Sequence, residues 1–337
     1  MSASPNPSPI LRLIGARRGS STGPDRLGAR ASPVTALRLG LIGAGRWGRI
    51  YIRSIAGMEN LALAAVASSN PQTEALLPPG CRQLGDWRAL IALPEVDAVI
   101  VATPPSLHFI MAKAALEAGK PVLVEKPFTC DVAEAETLAA LSRRLSIPLL
   151  VEHTQLYAPA FRALAVLIPG MGGLRAIHAR ANAEGPFRPD VPVLWDWGAH
   201  DIAMCLSLAG MPSGCEARRL ARRSGVANAE TIVIALARQN EATADIVVSN
   251  IREPKRRLFE VVCPGGRLIY DDMAAAKLQR IGDGQAAEPV TVSAGLPLTL
   301  ALEGFALAAR EPPDEAQLDL AVATVRVLSD CAQKLAA

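Results

Sequence analysis

The chain has 337 residues, half of them hydrophobic and only 4% aromatic, with a formal net charge of +3. That length and apolar share suffice to bury one large core or two, filled by Leu, Ala, Val and Ile. Residues 1–36 hold five arginines (12, 17, 18, 26 and 30) against Asp25 alone, so the rest of the chain sums to −1; a body so nearly neutral excludes the electrostatic footprint of a nucleic-acid binder, and no apolar run reaches the roughly eighteen residues that span a bilayer.

The first 36 residues are rich in Ser, Pro and Gly and lack periodicity, so they are expected to form a disordered extension. Arg17-Arg18 resembles a twin-arginine signal, but no hydrophobic stretch follows it. The six cysteines (81, 130, 205, 215, 263 and 331) form no C-x-x-C pair. They are expected to be reduced, mostly buried thiols of a cytoplasmic protein, and no metal site is expected.

From Leu37 to Glu152 apolar strands alternate with helices. The strand Leu37–Ile42 runs into Gly43-Ala44-Gly45-Arg46-Trp47-Gly48 and then into the helical run Arg49-Ile50-Tyr51-Ile52. Strand, glycine turn and helix in that order present backbone N–H groups and a helix N-terminus to a pyrophosphate. The first glycine permits the turn, the second lets a phosphate approach, and the third lets helix and strand pack closely. Further strands are expected at Leu61–Ala67, Ala98–Ala102, Pro121–Val124 and Pro148–Val151, with helices near Ser106–Ala118 and Val132–Arg144. Strands apolar on nearly every residue and joined by helices imply a doubly wound parallel sheet covered on both faces.

Beyond His153 the pattern changes. A helix at Pro159–Leu167, a strand at Arg175–Ala183 and a Pro-rich loop lead to a helix from Asp196 to Leu208. Strands suited to antiparallel pairing follow at Ala229–Ala237, Ala242–Ser249, Arg257–Val262, Gly266–Tyr270 and Lys277–Arg280, with glycine turns between them. Two closing helices, Leu298–Ala309 and Ala316–Leu335, are placed to return to the first unit. The expected division is therefore an extension (1–36), a dinucleotide-binding unit (37–152) and a substrate-binding, oligomerising unit (153–337) with a large, mainly antiparallel open sheet.

Two clusters carry candidate chemistry. Glu125-Lys126-Pro127 ends a parallel strand, where ligands bind in open α/β sheets. Asp196 and His200, four residues apart, share a helix face. Asp196 as a helix N-cap, His200 as a satisfied buried histidine and Lys126 as a solvated strand-end lysine are the structural alternatives. His108 either meets a cofactor ribose or simply opens a helix, while His153 and His178 carry no motif.

The glycine turn, Ala102-Thr103-Pro104-Pro105-x-x-His108, Glu125-Lys126-Pro127 and D-x-x-x-H together resemble the Gfo/Idh/MocA family of oxidoreductases, over about residues 37–335. The resemblance implies an N-terminal Rossmann domain, a C-terminal open-sheet domain and a homodimer or homotetramer built through that sheet. It implies NAD or NADP held by Gly43, Gly45, Arg46, Trp47, Gly48, Ser68, Ser69, Thr103, Pro104, His108, Glu125 and Lys126. Lys126, often before a cis proline, would lie near the nicotinamide, His200 would be the general acid/base, and Asp196 would position the substrate and tune His200. The implied reaction is hydride transfer between nicotinamide and a secondary hydroxyl or ketone of a sugar, cyclitol or related polyol. A glycosidase using transient oxidation and a non-catalytic cofactor-binding regulator are the alternatives on the same scaffold. The chain departs from many relatives in two places. Ser68-Ser69-Asn70 follows the second strand in place of an acid, which tilts the cofactor choice toward NADP because nothing repels a 2′-phosphate. Pro189 and Pro192 stiffen the approach to Asp196 where relatives have glycines.

Overall fold

A computed structural model of the chain describes residues 36–237 and 243–336. The extension expected over residues 1–36 lies outside the described residues, apart from Ala36. Strands β1 (Leu37–Ile42), β2 (Leu61–Ala67), β3 (Arg82–Leu84), β4 (Ala98–Val101), β5 (Val122–Glu125) and β6 (Leu149–Glu152) form a six-stranded sheet in the order β3-β2-β1-β4-β5-β6. All of its pairings are parallel. Strands β4, β5 and β6 are buried at every residue, as expected of strands covered on both faces. The covering helices are α1 (Arg46–Ala56), α2 (Trp87–Ile91), α3 (His108–Glu117) and α4 (Val132–Leu145).

Helix α5 (Pro159–Leu167) leads into an eight-stranded sheet built from β7 (Ala176–Glu184), β8 (Gly214–Arg222), β9 (Glu230–Ala237), β10 (Thr243–Ser249), β11 (Ile251–Cys263), β12 (Gly266–Asp271), β13 (Leu278–Gly282) and β14 (Ala287–Pro289). Its order is β14-β13-β12-β11-β7-β10-β9-β8, antiparallel except where β7 pairs with β10. Helix α6 (Ala199–Ala209) is buried at nine consecutive residues, Ala199–Ser207, and packs against this sheet.

The closing helices α7 (Pro297–Ala308) and α8 (Glu315–Ala336) both return to the first sheet. Leu298, Leu302 and Phe305 of α7 join Tyr51, Ile52 and Ile55 of α1 in one apolar cluster. Helix α8 meets α4 through Arg143 with Glu315 and Asp319, and through Arg326 with Glu136, each at 2.6 Å. A second apolar cluster runs without a break from Val99 and Val124 of the parallel sheet to Ile234 and Val261 of the other.

Three differences from the sequence expectation have physical causes. Strand β8 has the burial pattern of a nearly all-exposed edge, so its charged sequence shows no apolar alternation. Strand β11 begins at Ile251 instead of Arg257 because it contains a bulge. The regular helix expected from Asp196 begins at Ala199, after a π-helical turn over Leu194–Gly198.

Candidate active site

The glycine turn closes the end of β1. Gly43 has φ +99°, and a Cβ there would lie 2.5 Å from the Ala102 carbonyl oxygen; only glycine fits both constraints. A Cβ at Gly48 would collide with the Gly43 carbonyl, which is how α1 sits so close on the turn. At Gly45 a Cβ would meet no protein atom within 4 Å, and Gly45 is an exposed N-cap that opens on a cleft. The first turn of α1 contains no acid, so its N–H groups and positive dipole end suit a phosphate without a competing carboxylate.

That cleft, of about 320 Å³, is lined by Gly45, Arg46, Trp47, Thr103, Pro104, Glu125 and Lys126 among others. A second cleft of about 480 Å³ is lined by Thr154, Gln155, Asn182, Trp197, His200 and Arg257 among others. Arg46, Trp47, Lys126, Pro186 and Asp196 border both. Ser68 and Ser69 are not among the residues bordering either. Ser69 is exposed at the end of β2, whereas the half-buried Ser68 shares a hydroxyl hydrogen bond of 2.9 Å with Thr73 and accepts one from the Asn70 N–H at 3.2 Å.

Lys126 is delivered by β5 and the cis Lys126–Pro127 bond follows it. Its Nζ donates to the carbonyl oxygen of Asp196 at 2.8 Å and to Asp196 Oδ1 at 2.5 Å, with both side chains nearly buried. Asp196 stands in the π-helical turn, where Trp195 and Asp196 both donate their N–H to the Pro192 carbonyl. A π turn widens the helix locally and recurs at functional sites. The Asp196 side chain pairs with Lys126, and with Arg188 at 3.6 Å, and it does not cap a helix. His200 is one turn further on, in α6, 7% exposed and facing the second cleft. Burial first, then the positive charges of Lys126 and Arg257, hold its ring well below the ordinary histidine range. Its Nδ1 has no hydrogen-bond partner among the described residues.

Beneath Lys126 lies a buried ionisable layer. Glu125 and Glu152 end the neighbouring strands β5 and β6 and are register partners. Glu125 accepts the Tyr51 hydroxyl at 2.8 Å and the Lys126 N–H at 3.2 Å. Burial raises both carboxyls, and for Glu152 the charge of Glu125 adds to the rise. Thr154 donates its hydroxyl to Glu152 Oε2, while Glu152 Oε1 and both ring nitrogens of His153 have no partner among the described residues. Burial pushes His153 down to about 4, helped by Lys126. Glu152 has a signature in the sequence, because β5 and β6 both end in Val-Glu.

His108 is fully buried, with Nδ1 2.8 Å from the Pro127 carbonyl oxygen and Nε2 2.9 Å from that of Thr103. It ties the loop after β4 to the loop after β5 and offers no face to either cleft. Burial lowers its pKa, against the pull of these carbonyls. His178 lies elsewhere, half-exposed on β7 and 3.5 Å from Asp245. Among the described residues no group of His, Cys, Asp and Glu side chains could hold a metal ion, and no helix is long and apolar enough to cross a membrane. All six cysteines are free, and three of them (205, 263 and 331) are buried.

Comparison with known proteins agrees with this geometry. Residues 37–153 match the family model described as an oxidoreductase family with an NAD-binding Rossmann fold. The UDP-N-acetylglucosamine 3-dehydrogenase of Acidithiobacillus ferrooxidans is 33% identical over 227 residues, 66% of this chain and 70% of that protein. The scyllo-inositol 2-dehydrogenase (NADP(+)) IolW of Bacillus subtilis is 27% identical over 59% of this chain and 58% of its own. Among solved structures, a Magnetospirillum magnetotacticum protein provisionally assigned as an oxidoreductase superposes with a TM-score of 0.82 at 43% identity, covering 88% of this chain and all of that one. The Acidithiobacillus ferrooxidans dehydrogenase superposes with a TM-score of 0.75 at 27% identity, covering 89% and 97%. The glycine turn, the strand-end lysine and these relatives lead to one conclusion: the chain belongs to the Gfo/Idh/MocA family of oxidoreductases.

Proposed function

We propose that the chain is an NAD(P)-dependent dehydrogenase or reductase acting on a secondary hydroxyl or ketone of a sugar, cyclitol or related polyol. The observation that carries this is the Lys126–Asp196 bond on the wall shared by the two clefts, with His200 beside it in the larger one. Residues 37–152 serve as the cofactor-binding unit and 153–337 as the substrate-binding unit.

A bound nicotinamide dinucleotide supplies the hydride acceptor in one direction and the donor in the other. Gly43, Gly45 and Gly48 shape its phosphate site, Arg46 lies at the first turn of α1, and Trp47, Thr103, Pro104 and Glu125 form the remaining wall. His108 acts through the loops it ties together. His200 takes the hydroxyl proton during oxidation and returns it during reduction. Its depressed pKa keeps the ring neutral, so the base form is the resting form. Lys126, held by Asp196, places a positive charge where the substrate oxygen gains negative charge. Asp196 is thus a positioning residue for Lys126, and Arg188 shares its carboxylate.

The absence of an acid at Ser68-Ser69-Asn70 supports NADP over NAD, since no carboxylate is there to repel a 2′-phosphate. From the family resemblance we also infer a cytoplasmic location and a homodimer or homotetramer formed through the second sheet, which sedimentation would test.

The deciding experiment is His200→Asn. Cofactor affinity and fold should be retained while kcat falls by about a hundred-fold to ten-thousand-fold, the usual share of a general acid/base. In the parent enzyme the oxidation rate should fall on the acid side, below the ordinary histidine range, as the ring becomes protonated. That limb should vanish in the variant. Turnover and pH profile both surviving would move the proton-transfer role to Lys126.

A further inference from the structure

The larger cleft has an imbalance of charge that hydride and proton transfer leave unused. Its acids are already matched: Asp196 by Lys126 at 2.5 Å, Glu184 by Arg223, and Asp272 by Lys277 at 4.0 Å. Most of its cations, Lys126 apart, are not. Lys255, Arg256 and Arg257 line this cleft and have no carboxylate within 4.0 Å among the described residues. The buried Asp201 senses Arg257 only at longer range. Arg46 borders both clefts, whereas these three border only the larger.

The backbone accounts for their placement. Between the pairs Ile251–Glu184 and Arg256–Asn182, β11 advances five residues while β7 advances two. The excess bulges out over residues 252–255, and Asn182 Nδ2 donates to the carbonyls within it, to Pro254 at 2.5 Å and to Arg252 at 3.5 Å. Bulges of this kind re-aim side chains beside active sites. Here the bulge and the strand just after it present Lys255, Arg256 and Arg257 to the cleft that also holds Lys126 and His200.

We propose that the substrate bears a phosphate ester away from its reacting hydroxyl, and that Lys255, Arg256 and Arg257 bind that phosphate. The proposal rests on the reading of the site as a sugar or polyol dehydrogenase. Three unmatched positive charges exceed what a single carboxylate neutralises, and a planar guanidinium matches phosphate oxygens in pairs. Neutral cyclitols and free sugars leave all three charges unanswered.

The test measures binding to the cofactor-saturated full chain by calorimetry. The probes are myo-inositol, N-acetylglucosamine, glucose 6-phosphate and UDP-N-acetylglucosamine; the last two separate a sugar monophosphate from a nucleoside diphosphate sugar. At least one phosphorylated probe should bind about tenfold or more tighter than the neutral ones, the worth of one charge-assisted hydrogen bond. Its affinity should fall with added salt. The double substitution Lys255→Ala with Arg256→Ala removes two exposed side chains, so folding is not at risk. It should lose that advantage and most of the salt dependence while cofactor affinity stays unchanged. Equal binding of neutral and phosphorylated probes overturns the proposal, as does an effect of the double variant on cofactor alone. A phosphorylated probe that binds in this way but is never oxidised supports the anion site and counts against the dehydrogenase reading. Rapid oxidation of myo-inositol with no phosphorylated probe binding does the reverse.

Discussion

Glu152 shows how burial sets chemistry at a single residue. Its carboxyl is 1% exposed, lies opposite Glu125 in the strand register and has one oxygen with no partner among the described residues. Two carboxylates this close cannot both ionise cheaply, so the layer under Lys126 keeps a proton into a range where surface carboxyls have lost theirs. Because the folded pKa is raised, Glu152 adds stability below the ordinary carboxyl range, and that stability is lost as pH rises through its raised folded value. His153 works in the opposite sense: its pKa, lowered to about 4, means that acid favours the unfolded chain, which binds the proton more readily. Glu152→Gln should therefore flatten the alkaline side of the stability curve. Its melting temperature should drop less than the parent's between about pH 5 and about pH 8, the window between the ordinary carboxyl range and the raised folded value of about 8, and the region below that window should be unchanged. Equal alkaline losses in the two proteins would show that Glu152 is ionised throughout.

At the scale of elements, the end of β2 offers no acid where the proposed cofactor site would hold the ribose. Ser68 spends its hydroxyl on Thr73 and the Asn70 N–H, which leaves exposed Ser69 as the position free to meet a ribose substituent. Ser69→Arg should raise the ratio of kcat/KM for NADP over NAD by about tenfold, as one guanidinium–phosphate pair would. An unmoved ratio would take Ser69 away from the ribose. Elements with a strong local signature were legible in the sequence. The glycine turn shows its three separate constraints in the residue order alone, and the Lys126, Asp196 and His200 trio lies where two motifs converge. What could not be read depends on pairing. The π turn over Leu194–Gly198 is set by how the helix packs and not by its residue types, and β8 is a strand only because β9 lies beside it. The cations of β11 reach the cleft from beside a bulge that Asn182, some seventy residues earlier, holds by hydrogen bonds. His108 reads in sequence as a motif histidine, and only the fold shows both its nitrogens against backbone carbonyls.

At the scale of the whole molecule, α8 joins what the two sheets would otherwise hold apart. It packs on α4 and β6 of the parallel sheet and on α6 and β8 of the other. Its ion pairs with α4 are exposed on both sides, and pairs of that kind contribute about 0–1 kcal/mol each. The apolar face therefore carries the union. Leu328 is fully buried and lies against the π turn, about 4.0 Å from where a Gly198 Cβ would stand. Leu328→Ala should cost about 2–5 kcal/mol, whereas Arg326→Ala should cost less than about 1 kcal/mol. Chemical denaturation of Leu328→Ala, followed by circular dichroism and tryptophan fluorescence, should give one coincident transition at lower denaturant. Two separated transitions would mean that the sheets unfold independently.

The wall common to both clefts also gives the proposed reaction an expected handedness. On the proposed reading, a nicotinamide ring in the smaller cleft and a substrate in the larger one meet at the wall of Arg46, Trp47, Lys126, Pro186 and Asp196 that both clefts share, and a ring held against such a wall would present one face. Deuterium placed on the reacting carbon of the substrate should accordingly reach a single prochiral position of the reduced nicotinamide. Run backward, the same wall should set one configuration at the new alcohol.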